Sequence, residues 1–203
     1  MKPTRIAERL WRWSVPHPEW SAGAKPGSTG DWEREVGCVL WAGQDDAVFV
    51  DPLLPAAVDR FWRWADPLVD GRRAHAVSTI KFHRRSRDEI AARYGASTSR
   101  AATSLPGGVV PVRLEGAGEV CFWLPEERAL VTGDRILGAT GGELRLCPQS
   151  WLGYLEHPLD RSEFAALLEP LLELPVERVL VSHGEPVLSD GRAKLAAAID
   201  AAR

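Results

Sequence analysis

The segment from residue 75 to residue 95 limits the possible folds more than any other part of the chain, because it joins a strand, a cationic loop and a helix. Small and apolar residues alternate over 76–80, which is typical of a strand. Apolar residues then recur at helical spacing up to Gly95, which ends the helix. Ser86 followed three residues later by Glu89 predicts a capping box at the helix start. Functional side chains are therefore expected in the loop.

Patterns on either side of this segment predict further strands and helices. Apolar runs separated by turn residues predict strands over 5–14, 35–41, 47–51, 109–114, 119–124 and 129–132. Helical spacing predicts helices over 55–65, 161–172 and 190–202, and Asp160 with Glu163 predicts a capping box for the second of these. A late β-branched run is typical of a buried parallel strand and brings His183 to its carboxyl end.

Length and composition limit the number of domains and the kinds of partner that can be expected. The chain has 203 residues, of which 45% are hydrophobic, and this suffices for one substantial core and roughly one domain. We therefore expect a single domain over 1–203, in which residues 1–34 form a strand and a Trp- and Pro-rich loop packed on it. A net charge of −3 and a pI near 6.0 provide no basic face for a nucleic acid partner.

The cysteines and the N-terminus indicate a protein of the cytoplasm. The three cysteines lie far apart and show no CxxC spacing, so neither a disulfide framework nor a zinc ribbon is predicted. A reducing compartment fits this pattern. The first residues lack the apolar run of a signal peptide, and no stretch approaches the length of a membrane span. We therefore expect no membrane partner.

The chain contains nine tryptophans. Core filling is the simplest interpretation for most of them, since an indole ring buries a large apolar area. Trp13 lies close to a Pro-rich, conformationally restricted turn that contains His17. These two residues are therefore candidates for the wall of a binding pocket.

Four short motifs occur in an order that resembles the metallo-β-lactamase superfamily. They are a strand that ends in Asp51, the strand-loop-helix segment 75–95, a strand that ends in Gly133 and Asp134, and a strand that ends in His183 and Gly184. Each motif is weak alone, and their order from about residue 35 onward carries the resemblance. It implies an α/β fold, namely a four-layer αββα sandwich of two mixed β-sheets flanked by helices.

The resemblance also implies positions for metal ligands. The HxHxDH pattern of the superfamily falls on the cationic loop, where only His83 matches, as the second histidine. Asp134 matches the carboxylate that bridges two metals, and His183 matches a late His-Gly pair. A further histidine ligand falls near Glu115. Asp51 matches a strand-end aspartate and is expected to order the loop beside the cavity.

Cations replace two of the expected ligands, at Lys81 and Arg85. Neither an ammonium nor a guanidinium group has a lone pair to give to a metal, so no tightly held metal is expected. One hypothesis is that Lys81 or Arg85 pairs with Asp134 and fills the former metal volume, because a buried carboxylate is costly without a cation. The alternative is that both lie on a solvated basic loop with Arg84 and Arg87.

Two classes of function remain. In the first, the protein has little or no catalytic activity and binds a small anionic molecule or a protein partner in a cationic cleft. In the second, His83, Asp134 and His183 hold one zinc or iron ion, and the protein hydrolyses an ester, a thioester or an amide. No GxSxG motif supports a serine hydrolase. The cations favour the first class. The expected cleft residues are Lys81, Arg85, Asp51, Glu115, Trp13 and His17.

Overall fold

The computed structural model describes residues 2–98 and 105–203 of the protein, and its first sheet follows the chain order. The strands are β1 (Thr4–Ala7), β2 (Leu10–Pro16), β3 (Glu35–Ala42), β4 (Asp46–Val50) and β5 (Arg73–Val77). Neighbours are antiparallel except β4 and β5, which are parallel. The predicted hairpin of β3 and β4 is confirmed, whereas the predicted strand 5–14 is two strands joined by a turn at Glu8 and Arg9.

The second sheet comes from the later part of the chain. Residues 105–203 contain six strands, namely β6 (Val110–Leu114), β7 (Glu119–Leu124), β8 (Ala129–Val131), β9 (Ile136–Ala139), β10 (Glu143–Leu146) and β11 (Arg178–Leu180). The sheet has the order β11-β8-β7-β6, and β9 with β10 forms a separate hairpin. Strand β11 runs parallel to β8, as its β-branched sequence predicts.

Helices connect and cover the sheets. They are α1 (Val58–Val69), α2 (Arg87–Tyr94), α3 (Gln149–Leu152), α4 (Arg161–Leu168) and α5 (Gly191–Asp200), with 3₁₀ turns at Lys81–Arg84 and Glu169–Glu173. The predicted capping box of Asp160 and Glu163 is confirmed. The helix predicted over 161–172 becomes a 3₁₀ turn after Leu168, because Pro170 has no amide proton. Within the described ranges, no helix is both long and apolar enough to cross a membrane.

Alternation along the strands divides the core into layers. Trp41 of β3 faces the second sheet, where it packs in one cluster with Phe122 of β7. Leu40 faces the other way, toward Phe61 of α1 and Ile90 of α2. The outer face of the second sheet packs with α4 and α5 in a third cluster. Two mixed sheets are thus flanked by helices on both outer faces, which confirms the αββα sandwich.

Trp13 belongs to this core, so the prediction that it lines a pocket is wrong. Its side chain is buried, packs against Phe61 with ring centroids 5.3 Å apart, and donates a hydrogen bond from Nε1 to the Leu53 carbonyl at 3.0 Å. The strand period explains the error, because β2 pairs with β3 in a register that turns Trp13 toward α1. A buried indole satisfied by a backbone carbonyl is a structural residue.

Phe61 offers a direct test of this helix layer. Replacing Phe61 with Ala should lower the free energy of unfolding by about 3–5 kcal/mol, because the ring is fully buried between aromatic neighbours. Phe82→Ala is the matched control, since Phe82 is 60% exposed and its loss should change stability by about 0.5 kcal/mol or less. Urea unfolding of both variants measures the difference. Equal values would contradict this assignment of the core.

Candidate metal centre

Three strand ends bring His83, Asp134 and His183 together. His83 lies in the loop after β5, Asp134 follows β8, and His183 follows β11. Since β8 and β11 are parallel neighbours, their carboxyl ends meet at one edge of the second sheet. The amide of Gly37 in the first sheet donates to the Ser182 carbonyl at 2.7 Å and joins the sheets beside His183. We call His83, Asp134 and His183 the ligand cluster.

The ligand cluster directs two imidazoles at one carboxylate oxygen. Nε2 of His83 lies 3.0 Å from Oδ1 of Asp134, and Nε2 of His183 lies 3.3 Å from the same atom. Both histidines are buried, and the potential ligand atoms all lie within 4.8 Å of one another. Neither contact has the alignment of a hydrogen bond, so Oδ1 of Asp134 is buried without a hydrogen-bond partner among the described residues. Two nitrogens and one oxygen therefore converge on a small volume.

Asp51 fixes the orientation of His83. Its Oδ2 lies 2.8 Å from Nδ1 of His83 and accepts a hydrogen bond from the Thr79 hydroxyl at 2.6 Å, while Oδ1 accepts from the Thr79 amide at 2.8 Å. Because Nδ1 faces Asp51, Nε2 is the ring nitrogen directed at Asp134. Histidines that bind metals are commonly held by a carboxylate in this way. Asp51 is itself buried, so it orders the loop and does not line the cavity.

The cluster is electrostatically coupled. Burial and the Arg85 guanidinium lower the pKa of His83, but Asp134 and Asp51 outweigh both and raise it to about 9. Burial opposes ionisation of Asp134, yet the two imidazoles hold the pKa of its carboxyl well below the usual range. At neutral pH His83 is therefore an imidazolium beside the Asp134 anion, and a metal ion that binds at this carboxylate would displace a proton from the ring.

Glu119 positions Asp134 and was not identified as functional from the sequence. Its carboxylate accepts three backbone hydrogen bonds, from Gly133 at 2.9 Å, Asp134 at 2.8 Å and Arg135 at 3.0 Å. Burial raises its pKa, an effect that the Gly133 amide opposes. A side chain at Gly133 would collide with the Thr79 hydroxyl and the Glu119 carboxylate, so this loop fits its neighbours closely. The only sequence signal was an acidic residue at the edge of an apolar strand.

The hypothesis that Lys81 or Arg85 pairs with Asp134 is wrong. Lys81 is exposed, and its ammonium lies 4.8 Å from the centre of the Phe82 ring. The Arg85 guanidinium donates to the Asp51 carbonyl at 3.1 Å and to the Ser182 hydroxyl at 3.2 Å. In the described part of the chain, the ion pairs of Asp134 are those with the two histidines. The reason is the 3₁₀ turn, which breaks the strand-like alternation that would align residues 81, 83 and 85.

Two other expectations fail at the same loops. Ser86 does not cap α2, because its hydroxyl accepts a hydrogen bond from the Leu54 amide at 3.0 Å and thereby ties the loop to the end of the first sheet. Glu115 is exposed in the turn between β6 and β7 and is not part of the ligand cluster. The carboxylate that reaches toward Asp134 from this hairpin is that of Glu119.

A cavity of about 440 Å³ opens onto the ligand cluster. Its other walls include His17, Trp32, Arg85 and Trp151. His17 is half-buried, and burial, followed by the charge of Arg85, lowers its pKa. The predicted cleft residues His17 and Arg85 therefore do face the same cavity as the cluster.

A second cavity, of about 600 Å³, adjoins the first. The two share the side chains of Phe82 and Tyr154, which are 60% and 61% exposed. Lys81 and Glu115 line this outer cavity. The combined space is larger than a single small ester requires.

Solved structures with a similar fold are metallo-β-lactamases. A metallo-β-lactamase from Erythrobacter litoralis superposes with a TM-score of 0.64 at 16% identity and covers 98% of this chain and 91% of its own. The enzyme FIM-1 from Pseudomonas aeruginosa, in its mono-zinc form, superposes with a TM-score of 0.64 at 15% identity. This superposition covers 99% of this chain and 95% of FIM-1. The metallo-β-lactamase DIM-1 superposes with a TM-score of 0.63 at 14% identity, and the superposition covers 100% of this chain and 97% of DIM-1. Similarity at these identities establishes the fold.

No family model matches the chain, and no curated protein matches it by sequence.

Glu119→Ala tests how the Asp134 loop is held. The change leaves two buried amides and the partly buried amide of Asp134 without their acceptor, at a cost of about 1–3 kcal/mol for each buried one, so unfolding should become easier by at least about 2 kcal/mol. Glu115→Ala, in the same hairpin but exposed, should change stability by about 0.5 kcal/mol or less. Chemical denaturation compares the two variants, and a tolerant Glu119 would show that the three hydrogen bonds do not hold the loop.

Proposed function

Because the chain has the metallo-β-lactamase fold, we propose that it is a hydrolase with a single divalent metal ion held by His83, Asp134 and His183. The observation that carries the proposal is the convergence of two buried Nε2 atoms on one carboxylate oxygen that has no hydrogen-bond partner in the described residues. The two cations that argue against a metal lie outside this cluster.

The donor set fits such an ion. Two imidazoles and one carboxylate form a ligand set found in catalytic zinc sites and in iron(II) sites, and three protein ligands leave a position open. Oδ2 of Asp51 holds Nδ1 of His83 at 2.8 Å, as a carboxylate commonly does for a histidine that binds a metal through Nε2. The fold neighbour FIM-1 has a mono-zinc form, which agrees with one ion in this fold.

A zinc or iron ion held there supplies Lewis-acid activation of a carbonyl group and of water. The protein's own residues then determine access and orientation. Trp32 and Trp151 lie edge-on to His183, with ring centroids 5.5 Å and 6.0 Å away, and restrict water on that side. The His17 ring accepts a hydrogen bond from the Glu19 amide at Nδ1, so its Nε2 carries the proton of the neutral ring and can exchange it with a bound substrate.

We propose an ester, a thioester or an amide with a negatively charged group as the substrate. Arg85 supplies the complementary charge, since its half-buried guanidinium lines the cavity beside the ligand cluster. The second candidate function, the binding of a small anionic molecule without turnover, rests on the same residue. A metal assay and a turnover assay separate the two candidates.

Metal content is the primary test. Protein purified without a histidine tag and loaded with zinc or iron(II) should hold about one ion per chain by elemental analysis. Metal binding should weaken in each of the variants His83→Ala, His183→Ala and Asp134→Ala. The loss of affinity should exceed the roughly 10–100-fold that is typical when a residue that only supports a metal ligand is removed. His157→Ala is the control, because His157 is exposed and outside the ligand cluster. Wild-type protein that binds no more metal than His83→Ala would refute the metal site.

Turnover tests the hydrolase and the substrate charge together. Metal-loaded protein should hydrolyse carboxylate-bearing esters or thioesters, lose activity on chelation and regain it with metal. Arg85→Gln should raise KM for the carboxylate-bearing ester by about tenfold or more beyond any rise in KM for a neutral ester, since a charge-assisted hydrogen bond contributes about 1.5–3 kcal/mol and the lost contacts to Asp51 and Ser182 affect both substrates. Saturable binding without turnover would favour the second candidate.

We also propose a reducing compartment such as the cytoplasm. All three cysteines are buried free thiols. Burial raises the pKa of Cys38 and of Cys147 to about 11, so neither thiol is readily ionised or oxidised.

A further inference from the structure

The two histidines of the ligand cluster are supported unequally. Nδ1 of His83 has Asp51 as its partner, whereas Nδ1 of His183 is buried and has no hydrogen-bond partner among residues 2–98 and 105–203. The atom that faces it is Oε2 of Glu33, at 3.9 Å. That oxygen is also buried without a partner in the described chain, although the Glu33 side chain as a whole is 41% exposed. Two unsatisfied groups of opposite hydrogen-bonding character therefore face each other.

Glu33 reaches this position from the N-terminal strap, by which we mean residues 17–34. The strap is attached next to the cavity, because Trp151 donates from its indole nitrogen to the Ser28 carbonyl at 3.0 Å. Arg145 of β10 lies 3.2 Å from Oε1 of Glu33. One carboxylate oxygen is thus anchored by a guanidinium, and the other is directed at the imidazole.

The separation of 3.9 Å exceeds a hydrogen bond, which ends near 3.2 Å, so the contact requires the carboxylate to move closer to the ring. In that arrangement Nδ1–H of His183 donates to Oε2 of Glu33. The lone pair of Nε2 then faces Asp134, which is the orientation that a metal ligand needs. The result has the same form as the pairing of Asp51 with His83.

We propose that Glu33 is the positioning residue for His183, so that the N-terminal strap supports one of the two histidines of the metal centre. The proposal rests on the metal site described under Proposed function. It predicts that the strap and the ion stabilise each other, because the ion requires His183 in the orientation that Glu33 favours.

The first measurement is zinc affinity, by competition with a chromophoric chelator. Glu33→Ala should raise the Kd by about 10–100-fold, and Glu33→Gln should raise it less, because the amide oxygen still accepts a hydrogen bond but has no charge. Glu35→Gln is the matched control: Glu35 is exposed, lies two residues further on, and should keep the wild-type Kd within about twofold. Metal-free Glu33→Ala should retain the wild-type melting temperature, which separates positioning from a general loss of structure. An unchanged Kd in Glu33→Ala overturns the proposal, and so does a metal-free melting temperature that falls in step with affinity.

The second measurement needs no metal. In ¹⁵N-labelled protein, the two-bond imidazole spectrum should show a proton on Nδ1 of His183, identified by its loss in His183→Ala, and Glu33→Ala should shift the ring toward the Nε2–H tautomer, which donates to Asp134. An unchanged tautomer overturns the proposal. If wild-type protein binds no metal while the tautomer still depends on Glu33, the metal site is refuted and the positioning of His183 by Glu33 is upheld.

Discussion

The candidate site depends on the contact between His83 and Asp51. Both side chains are buried, and the 2.8 Å contact joins the loop after β5 to the end of β4. Since β4 and β5 are parallel neighbours, the two residues leave the same edge of the first sheet, and Asp51 can also accept from the Thr79 amide. One carboxylate thus determines both the path of the loop and the direction of the imidazole. The Thr79 hydroxyl, which donates to the same carboxylate, lies 3.1 Å from Nδ1 of His83 and supports this orientation.

The carboxylates of Asp51 and Glu119 accept hydrogen bonds from the loop amides, and the carboxylate of Asp134 faces the two imidazoles. Asp51 does this for the first sheet, and Glu119 does it for the second by accepting the amides of Gly133, Asp134 and Arg135. Buried backbone donors are costly when unpaired, and Glu119 supplies the acceptor for those around Asp134. With the backbone donors satisfied, Oδ1 of Asp134 is left facing two imidazoles. Structural and chemical roles are therefore divided among residues of the same type.

The sequence predicts features that depend on neighbouring residues. The hairpin of β3 and β4 follows from local turn residues, the capping box at Asp160 from adjacent positions, and the fold from the order of four motifs. His83, Asp134 and His183 were identified because each matches a motif position of the metallo-β-lactamase superfamily.

Features that depend on the third dimension were missed or misjudged. The side to which Trp13 turns depends on strand register, and the direction of Lys81 depends on a 3₁₀ turn where a strand end was assumed. Local spacing predicts that the Ser86 hydroxyl accepts a hydrogen bond from the first turn of α2, but it accepts one from the Leu54 amide instead. The role of Glu119 depends on the packing of β7 against the loop after β8. None of these contacts has a counterpart in sequence spacing.

Gly133 has a consequence for how such a site can be altered. A side chain there would meet Thr79 from one sheet and Glu119 from the other, so the position connects two regions of sequence that cannot vary independently. Phe82 and Tyr154, at the rim shared by the two cavities, carry no such restriction because both are largely exposed. A mutant library that seeks new substrate preferences is therefore best built at residues 82 and 154, with residue 133 held as glycine.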